Sequence, residues 1–153
     1  MFQKPTVDDA KLILELYELR RESEMRKART WWAAEFFPQN ADDFLTVMWS
    51  MGSPHNHWLR QVVSYWGLAA SFVLRDLLHE ELFLEPAFSG EMFLILAKVH
   101  PFLQELREKM GDPHIFRNIE DVATRTEWGR NRLQFMLKRV ETMRQKRAAQ
   151  SAS

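Results

Sequence analysis

The chain has 153 residues, of which 46% are hydrophobic and 27% charged, and it contains six tryptophans, eleven phenylalanines and no cysteine. This length and composition predict one folded domain, and they exclude disorder and any chemistry that depends on a thiolate or a disulfide. The lack of cysteine suits a reducing compartment, so we expect a cytoplasmic protein. The longest apolar stretch, "VVSYWGLAASFVL", is shorter than the roughly 20 residues that a membrane-spanning helix needs, so we expect no membrane insertion.

Basic and acidic residues are equal in number but unevenly distributed. Residues 1–124 have a net charge of −6, and residues 125–153 have a net charge of +6. The simpler explanation is a cationic last helix that packs against an acidic body, or lysines and arginines placed favourably near a helix carboxyl end. The alternative is a surface for nucleic acid or an acidic partner. The nucleic-acid alternative depends on cations of the last helix that can bind phosphates, namely Arg130, Arg132, Lys138 and Arg139.

Apolar residues recur at steps of three and four along the chain, and this periodicity predicts an all-α protein. The first helix is expected to begin at Thr6, whose hydroxyl can cap it, and to continue through the charged run "RRESEMRKAR" until Pro38 ends it. Its apolar side contains Leu12, Ile13, Leu16 and Leu19. A short helix capped by Asn40 should follow over residues 41–51 and end at Gly52.

The stretch "SPHNHW" indicates the start of the longest helix, because a capping serine is followed by proline at the first helical position. This helix is expected to reach Leu84 and to lie at the centre of the bundle, since its middle is apolar nearly all round. His55 and His57 are two residues apart and therefore point to different faces, which argues against a metal or nuclease site. Gly67, inside the helix, predicts a close crossing with a neighbouring helix.

The carboxyl-terminal half continues the helical pattern. A helix capped by Ser89 should end at Gly111, and Pro101 should kink or split it. A short helix capped by Asn118 and a long cationic helix follow, before a tail over residues 148–153 that we expect to fray. Together these elements predict an antiparallel helical bundle of four-helix type with an extra short helix, in a single domain over residues 1–147.

Asp76 and His79 are the best candidates for chemistry. They are three residues apart and resemble half of the carboxylate-x-x-His element of di-iron bundles. The chain has no second copy of this spacing, so we predict neither a metal nor a cofactor. With His100 they could instead line a pocket near the Pro101 kink, in a small-molecule-binding protein or a metal-dependent enzyme. Nucleophile-elbow and phosphate-loop motifs do not occur, so no catalytic residue is predicted.

Trp31, Trp32 and Phe36 form the densest aromatic cluster of the chain. Large aromatics dominate both protein interiors and interfaces, so the cluster is either core or a docking surface. Because catalytic motifs are missing, we favour a non-enzymatic helical interaction or regulatory module. It would associate with itself or with another protein through exposed parts of this aromatic surface.

Three stretches, "SYWGLAASFVLRDLLHEELFLE", "LAKVHPFLQELRE" and "FRNIEDVA", together resemble a bacterial family of all-helical domains of unknown function. The features in common are an aromatic-rich helix, a helix with a central proline and a following arginine, and a short acidic helix, in this order over about residues 44–124. The resemblance implies a helical fold and assigns no functional residues. Many members have an amino-terminal membrane anchor, which we do not expect in this chain.

Overall fold

A computed structural model describes residues 3–153, and the secondary structure within that range is helical throughout. This confirms the predicted all-α class. The longer helices pack as a bundle, and no helix in the described part is long and apolar enough to cross a membrane. The helices are α1 (Val7–Leu19), α2 (Ser23–Ala34), α3 (Ala41–Met48), α4 (Pro54–Leu74), α5 (Glu80–Phe83), α6 (Pro86–Val99), α7 (Leu103–Met110), α8 (Arg117–Thr124) and α9 (Glu127–Ser151), with a 3₁₀ turn at His100–Phe102 between α6 and α7.

The first long helix of the prediction is two helices. α1 begins as predicted, because the Thr6 hydroxyl accepts from the Asp9 N–H at 3.2 Å and the Asp9 carboxylate accepts from the Thr6 N–H at 2.7 Å. The expected continuation to Pro38 is wrong, since α1 stops at Leu19 and α2 begins at Ser23.

Two side chains explain this break. The Glu22 carboxylate accepts from two backbone N–H groups of the next turn, at 3.1 and 2.9 Å, and so caps α2. Arg20 turns inward, where it is buried and donates to the Phe88 carbonyl oxygen at 3.1 Å. The chain therefore changes direction inside the run that appeared as one charged helix in the sequence.

The predicted helix to Leu84 is also too long. α4 ends at Leu74, and Asp76 then adopts a left-handed conformation with φ of 59°. The N–H groups of Leu77 and Leu78 both return to the Phe72 carbonyl oxygen, at 2.8 and 3.2 Å, and close the helix end.

The helix predicted from Ser89 to Gly111 differs from the structure at its start and agrees with it at Pro101. α6 begins at Pro86, which occupies the first helical position, and not after Ser89. The predicted effect of Pro101 is confirmed, because the 3₁₀ turn separates α6 from α7 there. α7 ends at Gly111, whose φ of 64° provides the expected left-handed cap.

α6 lies at the centre of the bundle. It packs against α2, α8 and α9, and its side chains Met92, Phe93, Ile95 and Leu96 have no exposed surface. Burial of each such side chain contributes about 1.5–3 kcal/mol. α4 was expected to hold this position, but one of its sides packs against α2 and α8 while the other remains exposed.

Two other local predictions are corrected. The expected close crossing at Gly67 is wrong, because a Cβ atom there would meet nothing within 4 Å. The close approach occurs at Gly129 instead, where a Cβ atom would overlap the backbone carbonyl of Ala123 in α8. Asn118 is not a cap; α8 begins at Arg117, and the Asn118 amide donates to the Gly67 carbonyl oxygen at 3.5 Å.

Candidate functional site

The aromatic cluster at the end of α2 belongs to the core. Trp31, Trp32 and Phe36 are all buried, and Trp32 has no exposed surface. The rings of Trp31 and Phe36 stack with centroids 4.4 Å apart, while Trp32 meets Phe36 edge-on at 4.9 Å. The expectation that these three side chains form an exposed docking surface is therefore corrected, because they pack against one another and against the neighbouring helices.

A shallow groove beside α2 reaches Trp31 of this aromatic cluster. The His55 ring stacks on Trp31 at 5.2 Å and so belongs to the same aromatic wall. The groove has a volume of about 550 Å³, and its lining contains both basic and acidic side chains. Its lining residues are Ser23, Arg26, Lys27, Thr30, Trp31, Glu35 and Trp58.

The structure does not pair the predicted pocket residues with one another. His79 caps α5, where its Nδ1 atom accepts from the Leu82 N–H at 3.5 Å, and its backbone N–H donates to the Asp9 carboxylate at 3.0 Å. Asp76 is exposed in the left-handed turn after α4, so the argument that it lies on one helical face with His79 does not hold. His100 lies in the 3₁₀ turn. Within residues 3–153, no group of three or more histidines and carboxylates is placed to hold a metal ion.

A buried lysine fixes the carboxyl end of α2. Lys98 of α6 has no exposed surface, and its Nζ atom donates to the carbonyl oxygens of Trp32 and Phe36, the latter at 2.8 Å. The Nζ atom also lies 3.6 Å from the centroid of the Phe37 ring. Burial lowers the pKa of Lys98 to about 7, and the nearby charges of Arg144 and Arg147 add to this effect.

Two arginines of α9 bind carbonyl oxygens near the same site. Arg144 donates to the carbonyl oxygens of Pro38 and Lys98, both at 2.8 Å, and Arg147 donates to that of Ala34 at 3.1 Å. Cations stabilise the carboxyl end of a helix, where carbonyls lack intrahelical partners. Part of the positive charge of residues 125–153 is thus used inside the protein, on carbonyl oxygens rather than on acidic side chains.

A second polar cluster joins α2, α4 and α6. The Glu91 carboxylate accepts from Arg29 at 2.7 Å and from the Trp66 indole N–H at 2.9 Å. Close by, the Tyr65 hydroxyl donates to the Leu16 carbonyl oxygen of α1 at 2.5 Å, and burial raises the pKa of Tyr65 to about 12. These groups bond to one another or to the backbone, so they hold helices together.

One side of α9 combines partly exposed aromatic rings with cations. Trp128 and Phe135 are 44% and 50% exposed, and the Arg132 guanidinium lies 4.8 Å from the centroid of the Phe135 ring. At about 100° per residue, this side occupies a sector of about 60° that contains neither acid of the helix. We name it the α9 face, and its residues are Trp128, Arg132, Phe135, Arg139 and Lys146.

The four residues predicted to contact nucleic acid do not all lie on the α9 face. Arg132 and Arg139 belong to it, and Lys138 is exposed at its margin. Arg130 lies on another side of α9 and donates to the Thr124 carbonyl oxygen at 2.9 Å. The structure therefore groups two of the four predicted residues with exposed aromatic rings.

α1 has a second apolar side, which the sequence analysis missed. Leu12, Ile13 and Leu16 pack against the core, as predicted. Val7 and Leu14 are instead 71% and 67% exposed. With Ala10 and Tyr17 they recur at steps of three, four and three, a spacing that was readable in the sequence. We name this exposed stripe the α1 face; its residues are Val7, Ala10, Leu14 and Tyr17. The exposed acids Glu15 and Glu18 lie alongside, together with Lys11, which pairs with Asp8.

The described residues thus define an all-helical bundle domain with buried polar contacts and two exposed faces, one apolar and one with aromatic rings and cations. The model of a family described as a domain of unknown function (DUF4760) matches residues 5–128, and the chain belongs to this family. This confirms the resemblance to an uncharacterised family and extends it toward the amino terminus. No curated protein and no solved structure matches the chain.

Proposed function

We propose that this protein is a non-enzymatic helical interaction module that associates with itself, and that the α1 face makes an essential contact. The observation that carries the proposal is the exposure of apolar side chains at heptad spacing, on the side of α1 that faces away from the core. Helices with apolar residues at this spacing pair with other helices. Contiguous exposed apolar patches are typical of interaction sites.

The energetic argument depends on Leu14. Its side chain is 67% exposed, and full burial of a leucine contributes about 1.5–3 kcal/mol relative to exposure. Loss of a contact of that size weakens binding by roughly tenfold or more. The lack of cysteine supports a cytoplasmic location for such a module.

Sedimentation velocity over a series of protein concentrations tests the proposal. We expect the wild type to associate as concentration rises, and Leu14→Glu to need at least about tenfold more protein for the same degree of association. The matched control is Leu77→Glu, because Leu77 is 62% exposed but lies in the turn after α4. It should associate like the wild type. A wild type that stays monomeric at every concentration, or equal effects of the two variants, would refute the proposal.

Nucleic-acid binding is a second candidate, and the α9 face favours it. Proteins that bind single strands combine aromatic rings for base stacking with cations for the backbone. The α9 face has two exposed rings and three cations without an acid. Titration of a fluorescent single-stranded oligonucleotide at low salt tests this candidate. Micromolar binding that weakens with salt and is lost in Phe135→Ala would support it, and no binding would end it.

A further inference from the structure

We infer that the partner of the α1 face is the α9 face of a second copy of the chain, so that copies associate head to tail. The inference rests on the proposed self-association and adds to it the second surface and the symmetry of the contact. Its basis is the chemistry of the two faces, which is complementary in charge and similar in spacing.

The charges of the two helices are opposite. α1 contains four acids and one lysine, whereas α9 contains seven basic residues and two acids. Two of the α9 cations, Arg144 and Arg147, are hydrogen-bonded to backbone carbonyls of the same molecule, whereas Arg139 and Lys146 are exposed and have no such bond among the described residues. Opposite potentials steer association and discriminate against wrong pairings. An acidic helix is therefore a suitable partner for the α9 face.

The apolar side chains also match in spacing. Val7 and Leu14 are seven residues apart, as are Trp128 and Phe135, and seven residues span about 10.5 Å along a helix. Each exposed aliphatic side chain of α1 can thus lie beside one exposed ring of α9 over two helical turns. The rings of Trp128 and Phe93 pack edge to face with centroids 6.0 Å apart, and the exposed part of Trp128 remains for a partner.

Symmetric pairings of either face satisfy these features less well. Two α1 faces would bring Glu15 and Glu18 of one copy toward the same acids of the other. Two α9 faces would oppose Arg132 and Arg139 in the same way, and like charges across an interface are unfavourable. A contact between unlike faces leaves one free face at each end. It therefore generates rings or open chains of copies rather than only a symmetric dimer.

A charge-swap experiment on the full chain tests this arrangement. The first variant is Glu15→Lys with Glu18→Lys, and the second is Arg132→Glu with Arg139→Glu. Each alone should associate at least about tenfold more weakly than the wild type, because its two faces then have the same charge. An equimolar mixture should recover association close to the wild-type level, since the lysines of one variant meet the glutamates of the other while the remaining faces are unchanged.

The controls separate this inference from the proposed function. Lys4→Glu with Arg75→Glu makes the same change in net charge as the second variant, at exposed positions outside both faces, and it should associate like the wild type. Circular dichroism of each variant checks folding, and recovery in the mixture requires both variants to be folded.

Self-association and the head-to-tail contact are refuted by different results. A monomeric wild type would refute self-association itself. A wild type that associates, with a mixture that does not recover, would overturn only the head-to-tail contact. The same holds if the Arg132 and Arg139 variant associates normally and loses oligonucleotide binding instead, because the α9 face would then bind nucleic acid.

Discussion

Gly129→Ala tests whether the contact between α8 and α9 has been interpreted correctly. A methyl group at Gly129 would overlap the Ala123 carbonyl oxygen and lie 3.1 Å from Oγ1 of Thr126, the residue that caps α9. Overpacking of this kind costs typically about 1–3 kcal/mol, and a disturbed cap costs about 1 kcal/mol more. Alanine recovers about 1 kcal/mol through its higher helix propensity. We therefore expect a net loss of about 1–3 kcal/mol in the free energy of unfolding.

Gly67→Ala is the matched control, because it makes the same substitution inside α4 where a Cβ atom meets nothing within 4 Å. It should stabilise the protein by about 0.5–1 kcal/mol. Urea unfolding followed by circular dichroism measures both changes. The reasoning is refuted if Gly129→Ala is as stable as the wild type, or if Gly67→Ala is clearly less stable.

Two further substitutions test the buried polar groups. Because the pKa of Lys98 falls from 10.5 to about 7 on folding, the unfolded chain binds more protons between these values. The free energy of unfolding of the wild type relative to Lys98→Met should thus rise between about pH 7 and 10.5, by up to about 1.4 kcal/mol per pH unit. Urea unfolding at a series of pH values measures this difference, and a difference that stays constant with pH would contradict the prediction. Asn56→Ala should lower the free energy of unfolding by about 1–3 kcal/mol, because the buried Asn56 amide donates to the carbonyl oxygens of Val47 and Met48 at 3.1 and 2.7 Å. The control is His57→Ala, which changes an exposed residue and should be nearly neutral in the same assay.

The features that the sequence predicted correctly depend on near neighbours. Thr6, Asn40 and Ser53 accept from backbone N–H groups three residues later, as expected of N-caps. Gly111 has the positive φ angle that suits the end of its helix. Gly52 also has a positive φ angle, but it lies in the turn before α4, because α3 ends at Met48 and not at Gly52 as predicted. Each of these signals acts within a few residues, so the residue type and the local pattern were sufficient.

The features that were missed depend on residues far apart in the chain. Arg20 ends its helix with a bond to a carbonyl 68 residues away, and Lys98 donates to carbonyls 62 and 66 residues before it. No local pattern distinguishes these side chains from ordinary solvated cations. For the same reason "SPHNHW" was interpreted through its histidines and its cap, whereas the buried residue that secures α3 is Asn56 between them.

Helical periodicity also leaves open which apolar side of a helix faces inward. Leu19 was expected in the core but is 62% exposed, while Leu16 of the same predicted side is buried. α1 has apolar residues on two sides, and only the packing of the other helices decides which side is covered. For this reason the interaction surface is proposed on α1, and not at the aromatic end of α2 where the sequence suggested it.

The positive charge of α9 has two distinct uses, and this bears on the proposed function. If the cations served only to bind backbone carbonyls of the same molecule, all of them would do so, as Arg144 and Arg147 do. Arg132, which is partly buried, and the exposed Arg139 instead lie on the side of α9 that has two partly exposed rings. Because hydrogen bonds within the chain account for the carbonyl-binding cations alone, Arg132 and Arg139 are the part of the charge asymmetry that the proposed external contact would explain.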